Sequence, residues 1–189
     1  MLEFLANFDR DLFLFINHTL ANPVTDLIMP YITSDFILKI SYAVAMMLVL
    51  IFGNARLRWM VLVSLIVILL TDQISAGLLK GVIGRMRPCH ALDPSQINLL
   101  VGCGGGKSMP SAHATNAFGQ AIFWSWGHKK VGPYLFIYAA LIALSRVFVG
   151  VHYPFDVLVG AIIGFSVGIA VILVFNMFKE SLPGIKRAV

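Results

Sequence analysis

Long apolar runs recur along this chain between short polar loops, and their length restricts the fold more than any other feature. Residues 36–52 (FILKISYAVAMMLVLIF), 59–79 (WMVLVSLIVILLTDQISAGLL), 131–150 and 154–178 are each long enough to cross the hydrocarbon core of a bilayer as a helix. Backbone in hydrocarbon must satisfy its own hydrogen bonds, which excludes open strands. The run at 112–126 is shorter and carries Asn116 and Gln120, so it is expected inside a bundle, away from lipid. Composition agrees: 59% of residues are hydrophobic and 12% charged, against about 45–50% and about 25% in soluble domains. The expected fold is all-α: a polytopic membrane helix bundle of about five transmembrane helices plus an N-terminal interfacial helix, in one membrane-embedded domain over residues 1–189.

Residues 1–35 differ from the rest. Leu2, Leu5, Phe8, Leu12, Phe15 and Ile16 fall at helical spacing with charges expected opposite, which describes an amphipathic helix lying in the interface. The alternative is a further span over about 12–32, against which Asn17, His18, Asn22, Pro23 and Asp26 stand. Glu3, Asp9 and Asp11 occupy the place of a basic leader region, so no cleavable signal peptide is expected.

Lysine and arginine placement gives an orientation. Arg56 and Arg58, Lys129 and Lys130, and the tail residues Lys179, Lys186 and Arg187 share one face of a five-span chain, expected to be cytoplasmic. The loop 80–111 and the turn 150–153 then face the extracytoplasmic side of the cell (inner) membrane. Lys80, Arg85, Arg87, Lys107 and Arg146 lie there against the positive-inside bias. Cations kept against that bias point to anion binding at a bilayer surface. Nucleic acid is not an expected partner.

Three pieces of that face carry candidate chemistry. Ser108 can cap a helix with Pro110 near its first position, leaving the N–H groups of Ser111, Ala112 and His113 free for an anion. His113 then stands where it can give a proton to a leaving oxygen. In HYPFD, Pro154 can open a helix and place Asp156 within reach of His152, fixing the imidazole tautomer so that its other nitrogen acts as nucleophile. Lys80, Arg87 and Arg146 supply donors matched to phosphate oxygens, while Lys80 and Arg146 also read as snorkelling helix-end residues and Arg85 and Arg87 as loop solubilisers. Asp72, two turns before Lys80 within a span, is expected to support the basic cluster from behind. Together these groups suit phosphoryl transfer through a phosphohistidine, with no metal or other cofactor expected.

These residues are similar to the type 2 phosphatidic acid phosphatase superfamily, whose signature runs K-x6-R-P, then P-S-G-H, then S-R-x5-H-x3-D. Lys80, Arg87 and Pro88 fit the first part, Pro110, Ser111 and His113 the second, and Ser145, Arg146, His152 and Asp156 the third, across residues 80–156. The resemblance implies phosphate binding by Lys80, Arg87, Ser111 and Arg146, with His113 as acid, His152 as nucleophile and Asp156 orienting it. Ala112 stands where the signature has glycine. Its backbone N–H survives, so the oxyanion contact is expected to survive while the pocket narrows. The implied substrate is a lipid phosphate, foremost undecaprenyl diphosphate, then phosphatidylglycerol phosphate, then a lipid A phosphate. Soluble vanadium-dependent haloperoxidases share the motifs but not the spans. An anion transporter is the reading from a different class.

Cys89 and Cys103 flank the outer loop and are either bridged or free, a bridge being permitted on an oxidising face. A zinc site from Cys89, His90, Cys103 and His113 lacks zinc-finger spacing. The stretch VGCGGGKSMPSAHAT, residues 101–115, resembles a nucleotide P-loop but is not one. Its first required glycine is replaced by Val101, and no strand precedes it.

Overall fold

A computed structural model of the chain describes residues 1–184. Lys186 and Arg187, used above for orientation, lie outside them. Seven helices of ten residues or more frame the molecule: α1 (Leu2–Leu14), α2 (Pro23–Ile32), α3 (Asp35–Phe52), α4 (Ala55–Ile83), α5 (Ala112–Gly127), α6 (Gly132–Phe148) and α7 (Pro154–Phe178). Short polar caps start several of them. Asn22 forms a capping box with Thr25, and Asn54 accepts from Leu57 N at 3.0 Å.

Helices α3, α4, α6 with the short turn before it, and α7 are long and apolar enough to cross a membrane. Helix α5, with 16 residues, rises only about 24 Å. It packs against α4, α6 and α7, which keeps Asn116 and Gln120 inside the bundle, the buried Asn116 Oδ1 having no partner among the described residues. Gln120 Nε2 donates to Ser64 O at 2.9 Å and its Oε1 accepts from Trp124 Nε1 at 3.1 Å, so its amide is paired inside the bundle.

The five long helices alternate in direction. At one end Trp126 closes α5, with Arg56 5.3 Å and Lys179 6.0 Å from its ring. At the other end the start of α3, the end of α4, the start of α5, the end of α6 and the start of α7 come together. Helix α4 runs through a π-helical turn, Gln73–Leu79, and so carries Lys80 in its last turn. It stops at Gly84, whose φ of 69° is left-handed and free of strain only without a Cβ.

Close contact between α5 and α7 sets the position of the site. Gly160, Gly164 and Gly168 repeat every four residues and so face one way along α7. A Cβ at Gly164 would run into the Thr115 carbonyl, and one at Gly168 would lie 2.9 Å from the Gly119 carbonyl. The bare stripe lets two backbones touch, the small-residue mode of membrane helix packing. The same approach brings Ser111 N to 3.0 Å from Asp156 O, locking the two helix starts together.

The N-terminal segment differs from expectation in its faces. The side of α1 and its following turn that packs on the protein is Asp9, Phe13 and Asn17, all fully buried. Asp9 is therefore not on a solvated face opposite the apolar one. Phe4, Leu5, Phe8 and Phe15 remain exposed and form a separate apolar stripe. Asn17 donates to Asn98 O at 2.9 Å and Phe148 O at 2.7 Å and accepts from Asn98 N at 2.9 Å, sewing this segment to the long loop and the end of α6. No continuous helix covers residues 12–32, because the chain turns at 20–22 before Asn22 caps α2.

Candidate active site

Asp156 is the most heavily bonded side chain in the site. It sits in the first turn of α7, fully buried. Oδ1 accepts from Arg85 Nη1 at 2.8 Å, while Oδ2 accepts from Tyr153 N at 2.8 Å and from the Ser108 hydroxyl. Pro154 at the first helical position makes this possible, since no N–H is lost there.

His152 lies beside it. Gly150, at φ 85°, turns the chain off the end of α6, and His152 N returns to Arg146 O at 3.2 Å. The imidazole is 2% exposed, and its Nδ1 stands 3.5 Å from Asp156 Oδ2, a contact longer than a formed hydrogen bond. Such contacts often tighten only with substrate bound. Burial pushes the His152 pKa down to about 3, with the Arg146 and Arg87 cations adding to the effect and Asp156 opposing it. The imidazole is thus a neutral base with its electron pair available at ordinary pH.

The cations surround this pair. Arg87 is half-buried and gives its Nε to Lys107 O at 3.2 Å. Burial, the chief cause, lowers its pKa. Lys80 lies within electrostatic reach of Arg87, Arg146, Asp72 and Asp156. Asp72 is thus a charged neighbour of the cluster. Arg146 gives Nη1 to Thr33 Oγ1, and its Nε is buried with no partner among the described residues. Like charges held this close repel, and a phosphate dianion between them would offset that repulsion while satisfying the Arg146 fork.

At the start of α5 the cap differs from expectation. Ser111, not Ser108, is the N-cap, and the helix begins at Ala112. Ser111 N is taken by Asp156 O, and its hydroxyl lies 3.5 Å from Ala114 N. The first-turn amides of Ala112 and His113 have no intrahelical partner and remain suited to an anion. Ser108 is displaced because Ser111 is itself a capping residue three positions closer to the helix, and the Ser108 hydroxyl turns to Asp156 instead. His113 stands on this first turn with Nε2 3.0 Å from Asp35 Oδ1.

The long loop is folded against these groups. Cys89 and Cys103 are joined in a disulfide, with Cα atoms 6.1 Å apart. Both sulfurs of the zinc grouping considered above are thereby bonded to each other, although His90 lies close to them. Ser108 N donates to Arg85 O at 2.8 Å and Arg87 N to Gly106 O at 3.3 Å, so the glycine-rich stretch pairs with Gly84–Arg87. Lys107 reaches outward to Gly84 O at 3.1 Å and stays on the rim.

Arg85 is the principal residue that sequence reasoning passed over. It pairs with Asp9 at 2.6 Å and Asp156 at 2.8 Å, and its guanidinium lies 4.0 Å from the Tyr153 ring centroid. A signal was available: in extended backbone residues alternate sides, so Arg85 and Arg87 point one way and Met86, 54% exposed, the other. Asp9, Thr33 and Asp35 gave no such signal.

A groove of about 600 Å³ opens beside His113 and descends between α3, α5 and α6, past Tyr42, Leu135, Tyr138 and Ile142, towards Trp124. Its wall is chiefly apolar.

The chain is similar to known proteins in both sequence and structure. The family model described as the PAP2 superfamily matches residues 61–180. The lipid A 4'-phosphatase of Bacteroides thetaiotaomicron is 32% identical over 174 residues, covering 87% of this chain and 75% of that one. The undecaprenyl-diphosphatase BcrC of Bacillus subtilis is 32% identical over 165 residues, covering 85% and 77%. The crystal structure of Aquifex aeolicus LpxE superposes with a TM-score of 0.68 at 29% identity, over 86% of this chain and 93% of that one.

Proposed function

Because the chain belongs to the PAP2 superfamily, and so is a membrane lipid phosphatase, we propose that it works through a phosphohistidine on His152. The observation that carries this is the buried, neutral His152 set between Asp156 and a cluster of cations. Lys80, Arg87, Arg146 and the free amides of Ala112 and His113 hold the equatorial oxygens as charge develops on them. Ser111 places those amides through its cap. His152 Nε2 attacks phosphorus in line while Asp156 steadies the ring through Nδ1. His113 gives a proton to the departing oxygen, and then takes one from the water that cleaves the phosphohistidine. The protein's own donors supply the charge stabilisation, so activity is expected to survive chelators.

Undecaprenyl diphosphate is the substrate we favour. The chiefly apolar groove beside His113 suits a lipid tail next to the phosphate. The relative from Bacillus subtilis is an undecaprenyl-diphosphatase. A lipid A phosphate is the second reading, favoured by the relative from Bacteroides thetaiotaomicron at the same identity. In this reading the active site faces the extracytoplasmic side of the inner membrane, which the basic residues Arg56, Arg58, Lys129, Lys130 and Lys179 at the opposite end support through the positive-inside bias.

The test is phosphate release from a panel of undecaprenyl diphosphate, phosphatidylglycerol phosphate and lipid A by wild type and His152→Ala in detergent. Turnover of the diphosphate by wild type alone supports the proposal. Full activity in His152→Ala would overturn the mechanism, and preference for lipid A would overturn the substrate.

A further inference from the structure

The turn between α2 and α3 lies over the site. Thr33 is buried there and takes the Arg146 hydrogen bond on its Oγ1. Ser34, extended with φ −63° and ψ 118°, is the N-cap of α3 and puts Asp35 in its first turn. Asp35 then brings Oδ1 to 3.0 Å from His113 Nε2. The carboxylate is 71% exposed and the imidazole 19%. That Nε2 is buried and has no formed hydrogen bond among the described residues.

The other charged groups facing His113 are Arg146 and Lys80, both cations, while Lys39 lines the same groove one turn further along α3. A proton on this imidazole meets their repulsion, and Asp35 is the carboxylate placed to balance it. We propose that Asp35 is a positioning residue for the acid step, holding the transferable proton on His113 Nε2 until the leaving oxygen takes its place. Its exposure on the rim lets it yield that place.

The proposal rests on the phosphohistidine mechanism above. In that mechanism the His152 electron pair forms the N–P bond as the P–O bond breaks, its electrons staying on oxygen. The proton on His113 Nε2 passes to that oxygen. Water then attacks phosphorus, the P–N electrons return to His152, and the water proton restores His113. Asp35 exchanges no atom in either step. Its effect should therefore scale with how much the leaving group needs a proton.

The experiment compares two detergent-solubilised phosphate monoesters, one leaving an alkanol and one a nitrophenol, which departs without protonation. Asp35→Asn should lower the alkyl-to-aryl ratio of kcat by roughly tenfold or more, within the range of general-acid contributions. Asp35→Glu should return the ratio towards that of wild type. An unchanged ratio, with both rates lost or kept together, would overturn the role of Asp35 while His152→Ala stays inactive. Activity retained in His152→Ala on both esters would instead overturn the mechanism beneath it.

Discussion

Arg85 Nη1 lies 2.8 Å from Asp156 Oδ1, and the same guanidinium reaches Asp9 on the first helix at 2.6 Å. One loop arginine thus ties the N-terminal segment to the carboxylate beside the candidate nucleophile. Asp156 and Asp9 are both fully buried. Two buried carboxylates facing each other are unfavourable without the cation between them.

Removing that cation should therefore show in both stability and rate. Arg85→Ala leaves two buried carboxylates uncompensated, which costs about 3–5 kcal/mol when a buried pair is broken. A small shift of Asp156 also misplaces His152, and misplacement near 1 Å costs up to about 100-fold in kcat. Asp9→Asn keeps Asp156 paired and should lose much less activity. Thermal melts in detergent and kcat on one lipid phosphate check both; equal activity in Arg85→Ala and wild type would reject the coupling.

The pH dependence of stability has a definite sign. His152 titrates at about 3 in the folded protein, chiefly through burial, against an ordinary 6.5. Between those values the unfolded chain binds a proton that the folded one refuses, so stability rises with pH through that window and is lost as pH falls from 6.5 towards 3. Above it the contribution is constant. Melting temperature followed from pH 7 downward should fall, and His152→Gln should flatten that slope. A slope as steep in His152→Gln as in wild type would assign the acid lability to other groups.

What could be read from sequence and what could not divides along physical lines. Spans 36–52 and 154–178 were legible because a helix in lipid needs an unbroken apolar run. Lys80, Arg87, His113, Arg146, His152 and Asp156 were legible as a spaced set, since helix ends on one face carry them to one place. Asp9 was not, because a charge on an amphipathic helix is ordinarily solvated, and only the docking of α1 on α7 turns it inward. Thr33 and Asp35 belong to a turn whose position over the site depends on how α2 and α3 pack, which no local pattern encodes. Ser108 misled because serine before proline is a good cap in isolation, and competition from Ser111 is a matter of tertiary fit.

Packing of α5 on α7 makes Gly164 sensitive to a single methyl. A Cβ there meets the Thr115 carbonyl, which is backbone and cannot rotate aside. Gly164→Ala should destabilise by about 1–3 kcal/mol and Gly164→Leu by more, as overpacking does. Because the same contact sets the Ser111–Asp156 link at 3.0 Å, activity should fall together with stability. Melts and turnover for both variants test this; normal melting in Gly164→Leu would mean the helices do not pack this closely.

The disulfide gives a readout of sidedness. Closing the 14-residue separation between Cys89 and Cys103 stabilises by about 3 kcal/mol in the chain-entropy model. Cys89→Ser with Cys103→Ser should lower the melting temperature while leaving the site residues in place and turnover measurable. In intact cells an impermeant maleimide should label wild type only after reduction. Labelling without reduction would mean free thiols, and none after reduction would count against an extracytoplasmic loop.

Arg146 separates charge from geometry. Its Nη1 is held by Thr33 and its Nε is buried without a partner, so the guanidinium plane is fixed while part of its donor set is unused. A phosphate, or vanadate standing in for the transferring phosphoryl group, would take that unused donor in a planar fork. Arg146→Lys keeps the charge and loses the fork. If only charge mattered, the variant would bind vanadate nearly as well as wild type. If the fork matters, the vanadate inhibition constant should rise and kcat/KM fall by about 10- to 100-fold, within the 1.5–3 kcal/mol of a hydrogen bond to a charged group. Thr33→Val removes only the support and should sit between the two. An order in which Thr33→Val is worse than Arg146→Lys would place the specificity in the turn over the site and not in the arginine.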